Sequence, residues 1–345
     1  MSIKWIYFIL LILPSLCFSF TKGAAPLELR QMVLGSSCGT LIATSYSLPC
    51  HPALLPLESS QNFVANIFLG EHYQRVNAYR KDIQNKDEFG VIEKLFEEQK
   101  ALQLQAGSAL WVKSKYFSFS YIPLYMSYFS ELKNRSYPQV DLKVYIEESL
   151  QLQGALPIQW DNTVISLGLQ GRAVDRKFIF QEFALFDVLS DPSQLKIQSH
   201  KSLFLEPGIV ILQDTDWKPR LTAQLKNLQV HHSGDRPPSE LVGAFVDTGI
   251  GTSVPITFGN LDLGISYRHD REITDPWDRI SFGTHYGLGL VATDLSLAQD
   301  AFSLGVSTQF LSARTGVAYF QNQVHEWDGS TSTNKTVNLE FGLVF

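Results

Sequence analysis

The chain has 345 residues, of which 18% are charged and 45% are hydrophobic, and its formal net charge at pH 7 is −6. This length suits one large domain or two of ordinary size. Because nucleic-acid binding depends on a basic patch or stripe, this mildly acidic balance gives no reason to expect a nucleic-acid partner.

The start of the chain has the pattern of an export signal. Lys4 precedes nine apolar residues, 5–13, and Pro14 and several small residues follow. This order is typical of a signal peptide, and the apolar run is too short to span a membrane as a helix. We predict a cleaved signal peptide over residues 1–25. Since no later stretch has 18 uninterrupted apolar residues, the exported chain is either soluble or a β-barrel.

Two cysteines, Cys38 and Cys50, follow the predicted signal peptide within a compact, turn-rich segment over residues 26–60. They lie twelve positions apart, and thiols exported to an oxidising compartment form disulfides. We therefore predict a Cys38–Cys50 disulfide. A metal site would need more His or Cys at ligand spacing than His51 supplies, so we predict neither a metal nor a cofactor.

From residue 61 onward, alternation of apolar and polar residues predicts strands, with a first strand over 63–70 and one short helix over 91–100. The strand over 142–156 is 15 residues long, whereas strands in globular proteins usually have about five or six. That length suits a tilted strand of a membrane barrel, which needs about 9–11 residues in lipid, plus an extension beyond the membrane. The residues Leu142, Val144, Ile146, Leu150, Leu152 and Leu156 share its apolar face.

The second half of the chain repeats the strand pattern. Residues 254–267 are predicted to form a hairpin with a two-residue turn at Gly259 and Asn260. Further strands are predicted over 280–292, 302–310 and 315–321. The complete pattern predicts roughly twelve strands over residues 61–345, with an even number between ten and fourteen.

The last eleven residues form the clearest amphipathic strand, and they end on an aromatic side chain. One face consists of Val337, Leu339, Phe341, Leu343 and Phe345, and the other of Asn338, Glu340, Gly342 and Val344. A soluble protein rarely leaves so apolar a strand at a free end, because exposed strands promote aggregation. We therefore predict an all-β, membrane-spanning antiparallel barrel, apolar outside and polar inside. The alternative is a secreted β-sandwich.

Two patterns resemble known bacterial proteins. The alternation from Val337 to Phe345 resembles the C-terminal signal of outer-membrane barrels. The segment 50–55 resembles part of the fatty-acid-transporter-like barrels and their secretion and conjugation relatives: Pro52 and Ala53 match, while His51 stands in place of an Asn. The resemblance implies an N-terminal hatch over 26–60, a barrel of about fourteen strands, and an outer-membrane location. It also implies the membrane lipid, the barrel-assembly machinery and a small hydrophobic ligand as partners.

One motif suggests chemistry instead. Asp247, Thr248 and Gly249 resemble the catalytic loop of aspartic proteases, which need two carboxylates close enough to share a proton. The chain has one such triplet, and Asp, Thr and Gly are also common turn residues. The leading prediction is therefore a non-enzymatic barrel that passes or binds small hydrophobic molecules, or that has a structural or secretion-accessory role. An outer-membrane or secreted hydrolase that uses Asp247 is the alternative.

Overall fold

A computed structural model describes residues 24–42, 46–57, 60–71, 80–85, 87, 90, 102–133, 139–184, 187, 191, 195–299, 301–325 and 331–345. The strands within these ranges are β1 (Asn62–Gly70), β2 (Leu102–Lys113), β3 (Phe117–Lys133), β4 (Gln139–Trp160), β5 (Thr163–Ala184), β6 (Gln198–Gln213), β7 (Arg220–Lys226), β8 (Leu228–Gly234), β9 (Phe245–Pro255), β10 (Asn260–His269), β11 (Ile280–Leu288), β12 (Val291–Ala298), β13 (Ala301–Phe310), β14 (Ala313–His325) and β15 (Thr331–Val344). Since β7 and β8 both pair with β6 and meet at Asn227, they form one wall strand, and the wall has 14 strands.

The sheet closes on itself as an antiparallel barrel. Each strand pairs with its neighbours in sequence, and β1 pairs with β15, where Val64 lies opposite Val344. The backbones of Phe63 and Phe345 exchange two hydrogen bonds at this seam, of 3.0 and 2.8 Å. Closure removes the sheet edges, which is the condition for a sheet to cross a bilayer. The predicted barrel and its strand number are confirmed.

Side chains alternate between lipid and lumen as the sequence predicts. On β15, Leu339 and Phe341 point outward and are 44% and 53% exposed, whereas Asn338 and Glu340 point into the lumen and are buried. This is the reverse of a sandwich, in which the apolar face would be covered by a second sheet. The outer wall is therefore apolar and the inner wall polar.

The two ends of the barrel differ. At one end, which we call the turn end, short connections join the strands at 114–116, 161–162, 214–219, 256–259, 289–290 and 311–312. At the other, the loop end, the described parts of the connections include 80–85, 195–197, 235–244 and 270–279. Outward aromatic side chains collect at the turn end: Trp160, Trp217, Phe258, Phe310 and Phe345 are all strongly exposed. Such a girdle is expected where a barrel meets the membrane interface.

Strand β4 has 22 residues, about twice the number needed to cross lipid. Its outward Leu150 and Leu152 are exposed, but Leu142, Val144 and Ile146 on the same face are buried. These three lie in a cluster with Ile83, Leu195 and Ile197, which come from loop-end connections. The apolar face predicted over 142–156 therefore meets lipid only in its later part, and its first third is the part of the strand that extends beyond the lipid and is covered by protein.

Several predicted boundaries change. The β9–β10 hairpin has a four-residue connection, 256–259, in which Gly259 adopts a positive φ of 89°. The stretch predicted as one strand over 280–292 is two strands, β11 and β12, separated by a turn in which Gly289 has a φ of 58°. The predicted helix over 91–100 and residues 1–23 of the predicted signal peptide lie outside the described residues.

Helical structure is short. The helices are α1 (Leu29–Leu34), α2 (Ser239–Val242) and three 3-10 helices, Gly35–Thr40, Pro52–Leu57 and Trp277–Arg279, and residues 80–85 are also helical. Within the described ranges, no helix has both the length and the apolar character needed to cross a membrane. We call residues 24–57, of which 43–45 are not described, the plug.

Candidate functional site in the barrel lumen

The plug lies inside the barrel and touches most of its inner wall. Helix α1 contacts β12, β13, β14 and β15, and the 3-10 helix Gly35–Thr40 contacts β7, β9, β10 and β11. The 3-10 helix Pro52–Leu57 contacts β4, β5 and β6. The plug therefore crosses the lumen, and its polar backbone must find partners on the polar inner wall.

Inward-facing glycines make room for the plug. A Cβ atom added at Gly168 would lie 2.2 Å from the Ala53 backbone N, and one added at Gly264 would lie 2.0 Å from Thr40 Oγ1. The same close approach occurs between Gly208 and His51, Gly249 and Thr40, and Gly283 and Ser37. Since no side chain fits between wall and plug at these positions, the lumen is shaped to the plug backbone.

Buried charges connect the first turn of the plug to the last wall strands. Arg314 Nη1 lies 2.6 Å from Glu28 Oε2, and Arg314 Nη2 lies 3.3 Å from Glu340 Oε2. Glu340 Oε1 also accepts hydrogen bonds from the Leu29 backbone N–H (3.1 Å) and from Asn66 Nδ2 (2.6 Å). The guanidinium thus lies between two carboxylates away from water, and each buried charge has an opposite charge beside it.

A second polar group holds the middle of the plug. Arg220 Nε donates a hydrogen bond to the Thr40 carbonyl (2.6 Å), and Arg220 Nη2 forms an ion pair with Asp262 Oδ2 at 2.9 Å. The same carboxylate oxygen accepts a hydrogen bond from the Ile42 backbone N–H (2.7 Å). Nearby, Arg30 of α1 lies 3.5 Å from Asp294. Wall side chains therefore replace the water that would otherwise solvate the plug.

His51 holds the last part of the plug as a hydrogen-bonding side chain. Its Nε2 lies 3.1 Å from the Ala223 carbonyl, which only accepts, and its Nδ1 accepts from the Ala53 N–H at 3.2 Å. Burial, together with the positive charge of Lys226, lowers the pKa of His51 to about 4. The hydrogen bond to Ala223 and the negative charge of Asp247 act in the opposite direction and raise this pKa. His51 is therefore neutral at neutral pH, as its two hydrogen bonds require.

The predicted Cys38–Cys50 disulfide is confirmed, with the two Cα atoms 5.6 Å apart. It joins the end of the first 3-10 helix to the residues just before the second. Two parts of the plug that contact adjoining sectors of the wall, β7 to β11 and β4 to β6, are thereby covalently linked. In the described part of the chain no cluster of three or more His, Cys, Asp or Glu residues could hold a metal ion.

A cavity of about 310 Å³ lies between the plug and the wall. Its lining includes Leu27 and Met32 of the plug, Tyr125 and Phe320 of the wall, and several glutamines. Tyr125 also belongs to a buried lumenal cluster together with Phe68, Trp111, Tyr145 and Phe178. A small concave site with aromatic walls and a few polar groups is suited to a small ligand. Sequence patterning missed this cluster, because inward aromatics interrupt the polar face of several strands.

The residues singled out for hydrolysis are placed differently from the prediction. Asp247 lies within β9 and not in a turn, and it forms ion pairs with Lys226 at 3.0 Å and Arg268 at 3.6 Å. These contacts are with cations, whereas protease chemistry needs a second carboxylate. Nothing in the geometry of Asp247 supports the hydrolase alternative.

Comparison with solved structures gives matches along almost the whole chain. The Pseudomonas putida toluene transporter TodX is 8% identical over 94% of this chain and 99% of its own, with a TM-score of 0.45. The TodX deltaS2S3 mutant, a monoaromatic hydrocarbon channel, is 9% identical over 91% of this chain and 97% of its own, with a TM-score of 0.51. No family model matches the chain, and no curated protein is similar to it in sequence.

The likeness is one of fold. At 9% identity, the match to the TodX mutant shows a shared barrel architecture that covers nearly all of both chains. At the level of the barrel fold alone, it agrees with the predicted resemblance to fatty-acid-transporter-like barrels.

Proposed function

We propose that this chain is a non-enzymatic, plugged outer-membrane channel that binds and passes small hydrophobic molecules. The observation that carries the proposal is the cavity between plug and wall, with Leu27, Met32, Tyr125 and Phe320 in its lining. The shared fold of the TodX mutant, itself a monoaromatic hydrocarbon channel, supports the same class of ligand.

A permanently open aqueous pore does not fit the contacts in the lumen. Buried ion pairs at Arg314 and Arg220 tie the plug to the wall on different sides. Ions therefore have no wide water-filled path past the plug. We expect low conductance in planar bilayers together with saturable uptake of small apolar molecules.

The proposal includes the route to the membrane. We propose that residues 1–25 are the export signal, that 26–60 form a hatch and that 61–345 form the barrel. The outward residues from Val337 to Phe345 would be read by the barrel-assembly machinery. Phe345→Ser is then expected to lower the assembled fraction in cells while the purified variant still refolds in detergent. Equal losses in both settings would indicate a stability defect instead.

Uptake by proteoliposomes tests the proposed function. Radiolabelled toluene is expected to reach equilibrium faster in vesicles that contain the protein than in empty vesicles. Ser127, which is buried and lines the cavity, is replaced in the variant Ser127→Phe to fill that space. The matched control is Ser233→Phe on exposed β8. Uptake that is equal in empty, wild-type and Ser127→Phe vesicles would overturn the proposal.

A further inference from the structure

Three glutamines on the inner wall form a chain of amide hydrogen bonds that starts at the plug. Gln153 Nε2 donates to the Pro49 carbonyl of the plug (3.4 Å) and to Gln170 Oε1 (2.9 Å). Gln170 Nε2 in turn donates to Gln151 Oε1 (3.4 Å). Gln151 Nε2 has no hydrogen-bond partner among the described residues.

The direction of this chain is set by the plug. A proline carbonyl can only accept, so the Gln153 atom that faces it must be the NH₂ group. The Gln170 atom next to it must then be the oxygen, and the same argument places the oxygen of Gln151 toward Gln170. A hydrogen bond from Ser118 Oγ to Gln153 Oε1 (3.2 Å) agrees with this assignment. The chain therefore ends in an N–H donor at Gln151.

The residue that carries this donor lines the cavity. Gln151 is 4% exposed and lines the cavity together with Tyr125. Buried polar groups almost always have a hydrogen-bond partner, so an unpaired one at a cavity calls for an acceptor from outside the chain. An amide N–H is neutral, and it selects an acceptor atom without requiring a charge on the ligand.

Glu206 and the three cations of the cavity lining already have partners within the protein, whereas Asp278 Oδ1 has none among the described residues. Glu206 pairs with Arg172 at 3.0 Å, and Lys226 pairs with Asp247 at 3.0 Å. Arg279 Nε donates to the Ile273 carbonyl at 3.0 Å. An anionic ligand would have to displace one of these contacts, because cations that are already paired attract a further anion weakly.

We infer that the cavity selects a small neutral aromatic molecule that carries one hydrogen-bond-accepting oxygen. The acceptor binds Gln151 Nε2, and the ring packs against Tyr125 and Phe320. The inference rests on the proposed function and narrows its ligand class from hydrocarbons to oxygen-bearing aromatics. A site built to donate a hydrogen bond discriminates against an analogue of the same shape that lacks the acceptor.

Acetophenone and ethylbenzene test this, because they have nearly the same shape and differ in one carbonyl oxygen. Binding of each to the purified full chain in detergent is measured by equilibrium dialysis, with benzoate as the anionic comparison. The variant Gln151→Met keeps the side-chain length and removes the donor. We expect the ratio of acetophenone affinity to ethylbenzene affinity to fall about tenfold in this variant, with ethylbenzene affinity unchanged.

The control variant is Gln309→Met, since Gln309 is partly buried at the turn end and does not line the cavity. Its affinity ratio should equal that of the wild type. An unchanged ratio in Gln151→Met, or tighter binding of benzoate than of acetophenone, would overturn the inference while leaving the proposed function intact. Failure of the wild type to bind either neutral probe would instead overturn the proposed function.

A measurement on the wild type covers the case in which Gln151→Met does not fold. The side-chain amide signals of ¹⁵N-glutamine are recorded in detergent during titration with each probe. Acetophenone should shift one glutamine NH₂ signal that ethylbenzene leaves in place. If the two probes shift the same glutamine signals equally, no hydrogen bond distinguishes them, and the inference is wrong.

Discussion

Arg314 lies between two carboxylates that come from opposite ends of the chain, Glu28 and Glu340, and all three side chains are buried. Replacing Arg314 with Met leaves two carboxylates in a dry site without a counter-charge. We expect the free energy of unfolding to fall by about 3–5 kcal/mol, the usual cost of removing one partner of a buried ion pair. Urea unfolding of the refolded protein, followed by tryptophan fluorescence, measures the loss.

Two comparisons separate the buried charge from the loss of an arginine in general. Arg271→Met, at an exposed loop position, should change stability by less than about 0.5 kcal/mol. The triple variant Glu28→Gln, Glu340→Gln and Arg314→Met removes every charge of the group and should recover part of the loss. If Arg314→Met is as stable as Arg271→Met, the ion pairs do not hold the plug.

Gly264 illustrates a different constraint, because its neighbour across the lumen is the plug and not solvent. Gly264→Ala would place a methyl group 2.0 Å from Thr40 Oγ1. We expect a loss of about 1–3 kcal/mol from overpacking, measured by the same unfolding assay, with faster proteolysis of the plug. At Gly171 the nearest atom to an added Cβ is 3.9 Å away, so Gly171→Ala is the matched control. Equal stabilities would show that the plug moves aside freely.

At the scale of the elements, the 3-10 helix Pro52–Leu57 depends on the neutral form of His51 just before it. His51 takes up a proton near pH 6.5 in the unfolded chain but only near pH 4 in the folded protein. Between these two pH values the unfolded state therefore binds more protons than the folded state. Stability is therefore complete above about pH 6.5 and is lost as the pH falls toward 4. The shift corresponds to a loss on the order of 3 kcal/mol.

Carboxylates also titrate near the lower limit of that window, so the test compares two proteins. His51→Gln keeps an N–H that can donate to the Ala223 carbonyl, but it does not titrate. Between pH 6.5 and 4.5 we expect the stability of the wild type to fall more than that of His51→Gln. The measurement is the rate at which a protease cleaves the plug. Parallel pH profiles would remove His51 as the cause.

The elements that sequence patterning predicts well are those whose signal is local. Alternation at Leu339 and Phe341 reports directly which face of β15 meets lipid, because the period of two is a property of one strand. On β4, Gln151 and Gln153 alternate with the outward Leu150 and Leu152, so the same period places them in the lumen. Their chain of amide bonds could not be predicted, since its direction depends on Pro49, about a hundred residues away in sequence.

The plug is where local patterns fail. A hydrogen bond joins Arg220 to Thr40, which is 180 positions away in sequence. Another joins Glu340 to Leu29, which is 311 positions away. A polar inner wall gives no sign of which residue meets which, because any of its side chains could equally face water. Gly264 falls within the hairpin predicted over 254–267, but nothing in that pattern shows that the plug lies against it. Tertiary contacts therefore decide the site, whereas strand periodicity decides the wall.

For the whole molecule, the apolar outer surface is what makes the barrel a membrane protein. Ile265, near the middle of β10, is 46% exposed and lies opposite Ile250, another outward side chain. Ile265→Arg places a charge on this surface away from the C-terminal strand, which carries the proposed assembly signal. A charge at the bilayer midplane costs about 2–4 kcal/mol, because it must be removed from water or reach the interface.

The matched control puts the same charge where the membrane ends. Leu311, in the β13–β14 turn, is 81% exposed, and Leu311→Arg should cost no more than about 1 kcal/mol. Both variants are refolded into lipid vesicles and scored by urea unfolding and by the change in electrophoretic mobility on boiling. In detergent micelles, which adapt to a charge, we expect the difference between them to shrink. Equal stabilities in vesicles would show that Ile265 does not face hydrocarbon, and the membrane assignment would then be wrong.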